Sequence, residues 1–119
     1  MAENFSFAKH ISVLAAQQAL AASARPFNNL FQHGTLTVEI YQPVEVDLQQ
    51  PHDRDECYVI INGDGMFEMG DVHIAFAPGD FLFVPAGMPH RFYDFGYSMC
   101  CWVIFFGPPG GERPNINNS

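Results

Sequence analysis

His52, Glu56 and His90 are the residues of this 119-residue chain whose types and spacing suit a chemistry. Imidazole nitrogen and carboxylate oxygen both donate lone pairs to a divalent cation, so two His and one Glu converging on a point would form a metal site. His52 and Glu56 lie four residues apart in the stretch 50–63, QPHDRDECYVIING, and His90 lies in a second stretch, 79–94, GDFLFVPAGMPHRFYD, behind a Pro85-Ala86-Gly87 corner. On one straight strand His52 and Glu56 would stand about 13 Å apart, too far to share an ion. The Asp53-Arg54-Asp55 segment is therefore expected to turn the chain, because an Asp side chain bonds its own backbone and favours turns.

The elements that must position these residues read as short strands. Ser12 can cap a helix from Val13 to about Ser23, with a weak stripe of Val13, Ala16 and Leu20, ended by Arg25-Pro26. From Phe27 the period becomes two. Leu30 and Phe31 open a strand, His33-Gly34 turns, and Leu36, Val38 and Ile40 alternate with polar residues. After Gln42-Pro43, Val44, Val46 and Leu48 predict a further strand toward Gln50, with Pro51 at an edge. Strands follow over 56–62, 66–69, 72–77, 81–84 and 90–94, with Gly70-Asp71 as a two-residue hairpin loop. The apolar run 98–106, SMCCWVIFF, is expected to be central, and the Gly/Pro segment from Gly107 to end the order, leaving a loose Asn-rich tail. Roughly nine short strands and one short helix predict an all-β fold, closed or double-sheeted. On this reading residues 1–26 form an N-terminal extension, 27–107 the β domain and 108–119 the tail.

The two stretches resemble the paired motifs of the cupins. Gln50 stands where the first motif has its leading His, followed by His52, Glu56 and Gly63; Gly79, Pro85, Gly87 and His90 match the second motif, with Asp94 in place of its Asn. The resemblance implies a jelly-roll barrel, a double-stranded β-helix, with a divalent metal held by His52, Glu56 and His90. Gln50 would offer only a neutral amide oxygen, or a hydrogen bond to substrate. Two His and one carboxylate on one side of an ion leave positions open for substrate and O₂, which favours Fe(II), with Mn, Ni, Cu and Zn as alternatives. Alternation puts Tyr58 and Ile60 beside Glu56, and Phe92 beside His90, giving an aromatic cavity suited to a small molecule. An oxygenase of a small organic acid or phenol is one reading. An isomerase or lyase, with Glu56 or Tyr58 handling a proton, is another. A metal-free barrel that binds a small ligand is a third, with His52 a turn histidine, Glu56 a strand-end carboxylate and His90 a buried core histidine.

Thirteen acidic against five basic residues give a net charge of -8, which argues against nucleic acid and anionic membrane surfaces as partners. No run approaches the ~20 apolar residues of a spanning helix. Cys57, Cys100 and Cys101 are odd in number and two are adjacent, so they do not read as a disulfide framework, and a reducing cytoplasm is expected. The stretch 9–24, ending in Ala-Ser-Ala, resembles a signal peptide, but Gln17 and Gln18 cut its apolar run short of the about 7–15 residues required. His10, His33 and His73 match no motif position, and Asp53-Arg54-Asp55 is either a solvated turn or a rim where Arg54 attracts an anion. The resemblance also implies pairing of edge strands in a homodimer.

Overall fold

Ser12 begins the regular structure: its Oγ accepts the N–H of Ala15 at 3.0 Å and opens α1, Val13–Ser23. The computed structural model describes residues 8–47 and 49–113. Leu48, the first seven residues and the Asn-rich end from 114 lie outside the described residues. The helix closes at Ala24, in a left-handed conformation at φ 56°. It buries Ala16 and Leu20 against Ile40 and Cys100, on the outer face of the larger sheet.

Eight strands follow: β1 Phe27–His33, β2 Leu36–Tyr41, β3 Asp55–Asn62, β4 Gly65–Met69, β5 Val72–Phe76, β6 Phe81–Val84, β7 His90–Tyr93 and β8 Cys100–Phe106. They form two antiparallel sheets, β1-β2-β8-β3-β6 and β5-β4-β7, in a jelly-roll barrel. The apolar run 98–106 does become a central strand: β8 lies between β2 and β3, with no free edge. Gly70-Asp71 does form the hairpin loop between β4 and β5, with Met69 opposite Val72. Where the chain crosses from one sheet to the other, Gly63 adopts φ +87°, and a Cβ there would lie 2.7 Å from Met99 Cα, so only glycine fits.

The core lies between the sheets. Tyr58 from the large sheet meets Phe67 and Phe92 from the small one, with ring centroids 5.6 and 5.1 Å away in edge-on geometry. Such pairs add about 0.5–1.5 kcal/mol each beyond the area they bury.

The segment after Pro43 differs from expectation. Val44 and Val46 form only an isolated bridge around Glu45, which has φ 63°, and among the described residues no strand runs toward Gln50. Its burial is inverted: Val44 and Val46 are 69% and 60% exposed, while Asp47 is only 7% exposed. The kink at Glu45 breaks the alternation, and Asp47 compensates for its burial with hydrogen bonds (below). The Gly/Pro segment expected to end the order is, as far as Glu112, tied back to the barrel. Gly107 N–H donates to Thr35 Oγ1, Gly110 N–H to the Asp53 carbonyl and Glu112 N–H to Asp55 Oδ2.

Candidate metal centre

Glu56 enters the barrel from β3, on the face shared with Tyr58 and Ile60, opposite Phe105 of β8 and Val84 of β6. His90 is the first residue of β7, in the other sheet, so the two side chains approach across the interior. His52 arrives from the segment before β3, where the chain does bend at Asp53-Arg54. Its backbone carbonyl accepts the N–H of Gly87 at 2.6 Å, which pins it to the corner preceding His90. Asp55 reinforces the same corner by accepting the N–H of Ala86 at 2.9 Å.

The side chains converge. His90 Nε2 lies 2.8 Å from Glu56 Oε1 and His52 Nε2 lies 3.7 Å from the same oxygen. One donor atom from each of the three residues falls within 4.8 Å of the others. Ligands about 2.1 Å from a shared ion stand ~3.0 Å apart at a right angle and ~3.4 Å apart in a tetrahedron, so this spacing suits one cation. Glu56 is 1% exposed and His90 6%, while His52 is half-buried with its ring edge-on to Phe105 at 4.9 Å.

The hydrogen bonding points the same way. His90 Nδ1 lies 2.9 Å from the Met88 carbonyl, which can only accept, so Nδ1 carries a proton and donates. In neutral His90 the Nε2 lone pair then faces a carboxylate oxygen. Their 2.8 Å approach is an ion-pair contact, and both oxygens of Glu56 and Nε2 of His90 have no hydrogen-bond partner among the described residues. Buried polar atoms left unpaired cost about 1–3 kcal/mol each. A carboxylate and an imidazole nitrogen left facing each other in this way fit a cation, either a metal ion or a proton. Burial works against a charged His90, but the Glu56 carboxylate and the Met88 carbonyl outweigh it and hold the imidazole pKa above its usual value.

An open cavity of about 630 Å³ leads to this group, lined on the inner face of the large sheet by Thr37, Glu39, Tyr41, Val103 and Phe105. It touches His52 and Gln49, whereas Glu56 and His90 lie behind them. Arg54 lines the cavity, where its guanidinium donates to the Thr35 carbonyl and Thr37 Oγ1 and lies over Phe105. Glu39 is half-buried, and burial, then the charge of Glu56, push its carboxyl pKa up.

Gln50, expected to offer its amide near the ion, is exposed to solvent. Gln49 stands there instead. Its Oε1 accepts the Tyr58 hydroxyl at 2.9 Å and lies 3.4 Å from His52 Nε2. Tyr58 keeps its proton, since burial and then the charge of Glu56 push its pKa well above the usual phenol value. Asp47 was not singled out by sequence reasoning, because alternation with Val44 and Val46 points it outward; only its place as an acidic residue in an apolar run could have marked it. Cys101 faces the interior and Cys100 the helix; burial raises both thiols. His10 and His73 are exposed, and His73 pairs with Tyr93.

A family model described as the cupin domain matches residues 37–106. An uncharacterised protein of Streptomyces coelicolor is 32% identical over 62 residues, 52% of this chain and 59% of that protein. Acireductone dioxygenase of Leishmania major is 38% identical over 50 residues, 38% of this chain and 14% of that enzyme. The chain thus spans less than two thirds of the length of either curated relative. A cupin superfamily protein from Desulfitobacterium hafniense superposes with a TM-score of 0.57 at 19% identity, over 69% of this chain and 76% of that one, a likeness of fold alone.

Proposed function

The chain belongs to the cupin family, and from that premise we propose that it is a metal-dependent enzyme acting on a small organic molecule admitted through the cavity beside His52. The observation that carries the reading is the convergence of three buried, unpaired polar atoms of Glu56 and His90, with His52 alongside. His52, Glu56 and His90 would hold the ion, and Fe(II) is the favoured metal because two imidazoles and one carboxylate on one side leave room for substrate and O₂. When bound, the metal supplies Lewis acidity and, if iron, O₂ chemistry. Similarity to a dioxygenase over 50 residues supports an oxygenase over an isomerase or lyase.

The chain's own residues do the rest. Phe105 and the β7 backbone fix the two imidazoles, and Met88 sets the His90 tautomer. Val103 and Phe105 give the substrate an apolar wall, while Thr37 and Glu39 offer polar anchors. In an isomerase or lyase, Glu56 is the proton acceptor, because the Tyr58 hydroxyl is committed to Gln49.

Elemental analysis of untagged protein purified without chelator tests the proposal. Near one equivalent of a divalent metal, absent from His52→Ala and His90→Ala, is the expected result. A second reading rests on the 2.8 Å contact, which also suits an imidazolium–carboxylate pair in a metal-free ligand-binding barrel. A wild type that refuses added Fe(II), Mn(II), Ni(II) and Zn(II) would select it.

A further inference from the structure

We infer that the amide oxygen of Gln49 is a further ligand of the metal centre, aimed there by Asp47; the inference rests on the metal reading above. Gln49 lies in the irregular segment between β2 and β3, so no strand geometry dictates its direction. Hydrogen bonds do. Its Nε2 donates to Asp47 Oδ2 at 2.8 Å and its backbone N–H donates to Asp47 Oδ1 at 3.2 Å. Asp47 is itself anchored by Phe92 N–H at 2.9 Å and by the Tyr41 hydroxyl at 2.6 Å, one from each sheet. With its nitrogen held by a carboxylate, the amide cannot flip, because a flip would set Oε1 against Asp47 Oδ2. The oxygen must face the opposite way, toward His52 and Tyr58.

There, Oε1 is 3.4 Å from His52 Nε2, close to the ~3.0–3.4 Å that separates neighbouring ligands of one ion. Glu56 Oε1 stands 3.7 Å from the same His52 Nε2. The Tyr58 hydroxyl donates to one lone pair of the amide oxygen and polarises it, while the other faces His52 Nε2, whose hydrogen bond to it an ion between them would replace. Asp47, Gln49 and Tyr58 thereby act as a relay that fixes a neutral oxygen donor where the chain has no third imidazole, and the site keeps the charge of a single carboxylate.

The test uses the full chain stripped of metal, titrated with Co(II) by calorimetry and followed by the visible spectrum of the bound ion. Gln49→Met keeps the volume and removes the oxygen; it is expected to weaken Co(II) roughly 10–100-fold and to change the spectrum, whereas Gln50→Met leaves both at wild-type values. Gln49→Glu guards against misfolding of the first variant. It sets a second carboxylate beside Asp47, so the metal-free chain melts earlier, and a cation at position 49 restores it. Its metal-induced rise in melting temperature should therefore exceed that of wild type. Wild-type Co(II) binding with Gln49→Met unchanged in affinity and spectrum overturns this ligand alone. An affinity loss without a spectral change, or a Gln49→Glu rise equal to wild type, also overturns it by reducing Gln49 to a support of His52. A wild type that binds no Co(II) overturns the metal reading together with it.

Discussion

Asp47 and Glu56 are both carboxylates sealed in the barrel, 7% and 1% exposed, and they are treated in opposite ways. Asp47 accepts from four neutral donors: the Tyr41 hydroxyl, the Phe92 N–H, and the backbone and side-chain N–H groups of Gln49. Glu56 accepts no hydrogen bond among the described residues and meets only His90 and His52. A buried charge is tolerated when dipoles surround it or a cation faces it. Asp47 takes the first solution and ties β2, β7 and the intervening segment together. Glu56 takes the second, so the barrel holds one carboxylate for architecture and one that requires a positive partner.

That contrast breaks most sharply under substitution. Asp47→Ala strands the Phe92 N–H and the Tyr41 hydroxyl inside the barrel and releases Gln49, and should cost about 3–5 kcal/mol in urea unfolding. Glu56→Gln should do the reverse in the metal-free chain. Its new amide N–H can donate to the bare Nε2 of His90, so stability should stay within ~1 kcal/mol of wild type or rise. Equal losses in the two variants would show that Glu56 is an ordinary structural acid.

Metal binding separates the two sites again, by a smaller amount. At a metal concentration about 100 times Kd, wild type should gain about 2.7 kcal/mol of stability, reversed by chelator. Glu56→Gln and His90→Ala should lose that gain, with metal affinity down at least ~100-fold, while Gln50→Ala keeps it. A chain that gains nothing from metal, yet is destabilised by Glu56→Gln, would place a proton between Glu56 and His90 instead.

The sequence carried the second half of this site better than the first. His90 stands behind a Pro-x-Gly corner and opens a strand whose apolar neighbours fix its inward face, so its place was legible from residue types alone. The bend at Asp53-Arg54 and the inward face of Glu56 were legible for similar reasons. Gln49 and Asp47 were not. Val44, Val46 and Leu48 spell a strand that puts Gln50 on their face, and one residue's slip reverses every side chain beyond it. The slip comes from Glu45 at φ 63°, a conformation that no glycine announces. Its stabilisation lies in Asp47 bonds to Tyr41 and to Phe92, the latter 45 positions away, which no local pattern records.

The gentlest way to sharpen the contrast is pH, because the Glu56 partner titrates. In the metal-free chain the His90 pKa lies above the ordinary 6.5, so folding binds a proton. The associated stability is fully present below the unfolded value and is lost as pH rises through the folded one. Glu39 has the same sign in a lower window, starting at its ordinary 4.5, since its carboxyl pKa is also raised. Urea unfolding across pH in chelator should therefore show two descending steps, the lower removed by Glu39→Gln and the upper by His90→Gln. Saturating metal should reverse the upper step: the ion and the proton compete for Nε2, so the bound chain grows more stable as pH rises through the same window. An upper step that keeps its direction with metal present would mean that the ion binds elsewhere, and that His90 and Glu56 hold only a proton between them.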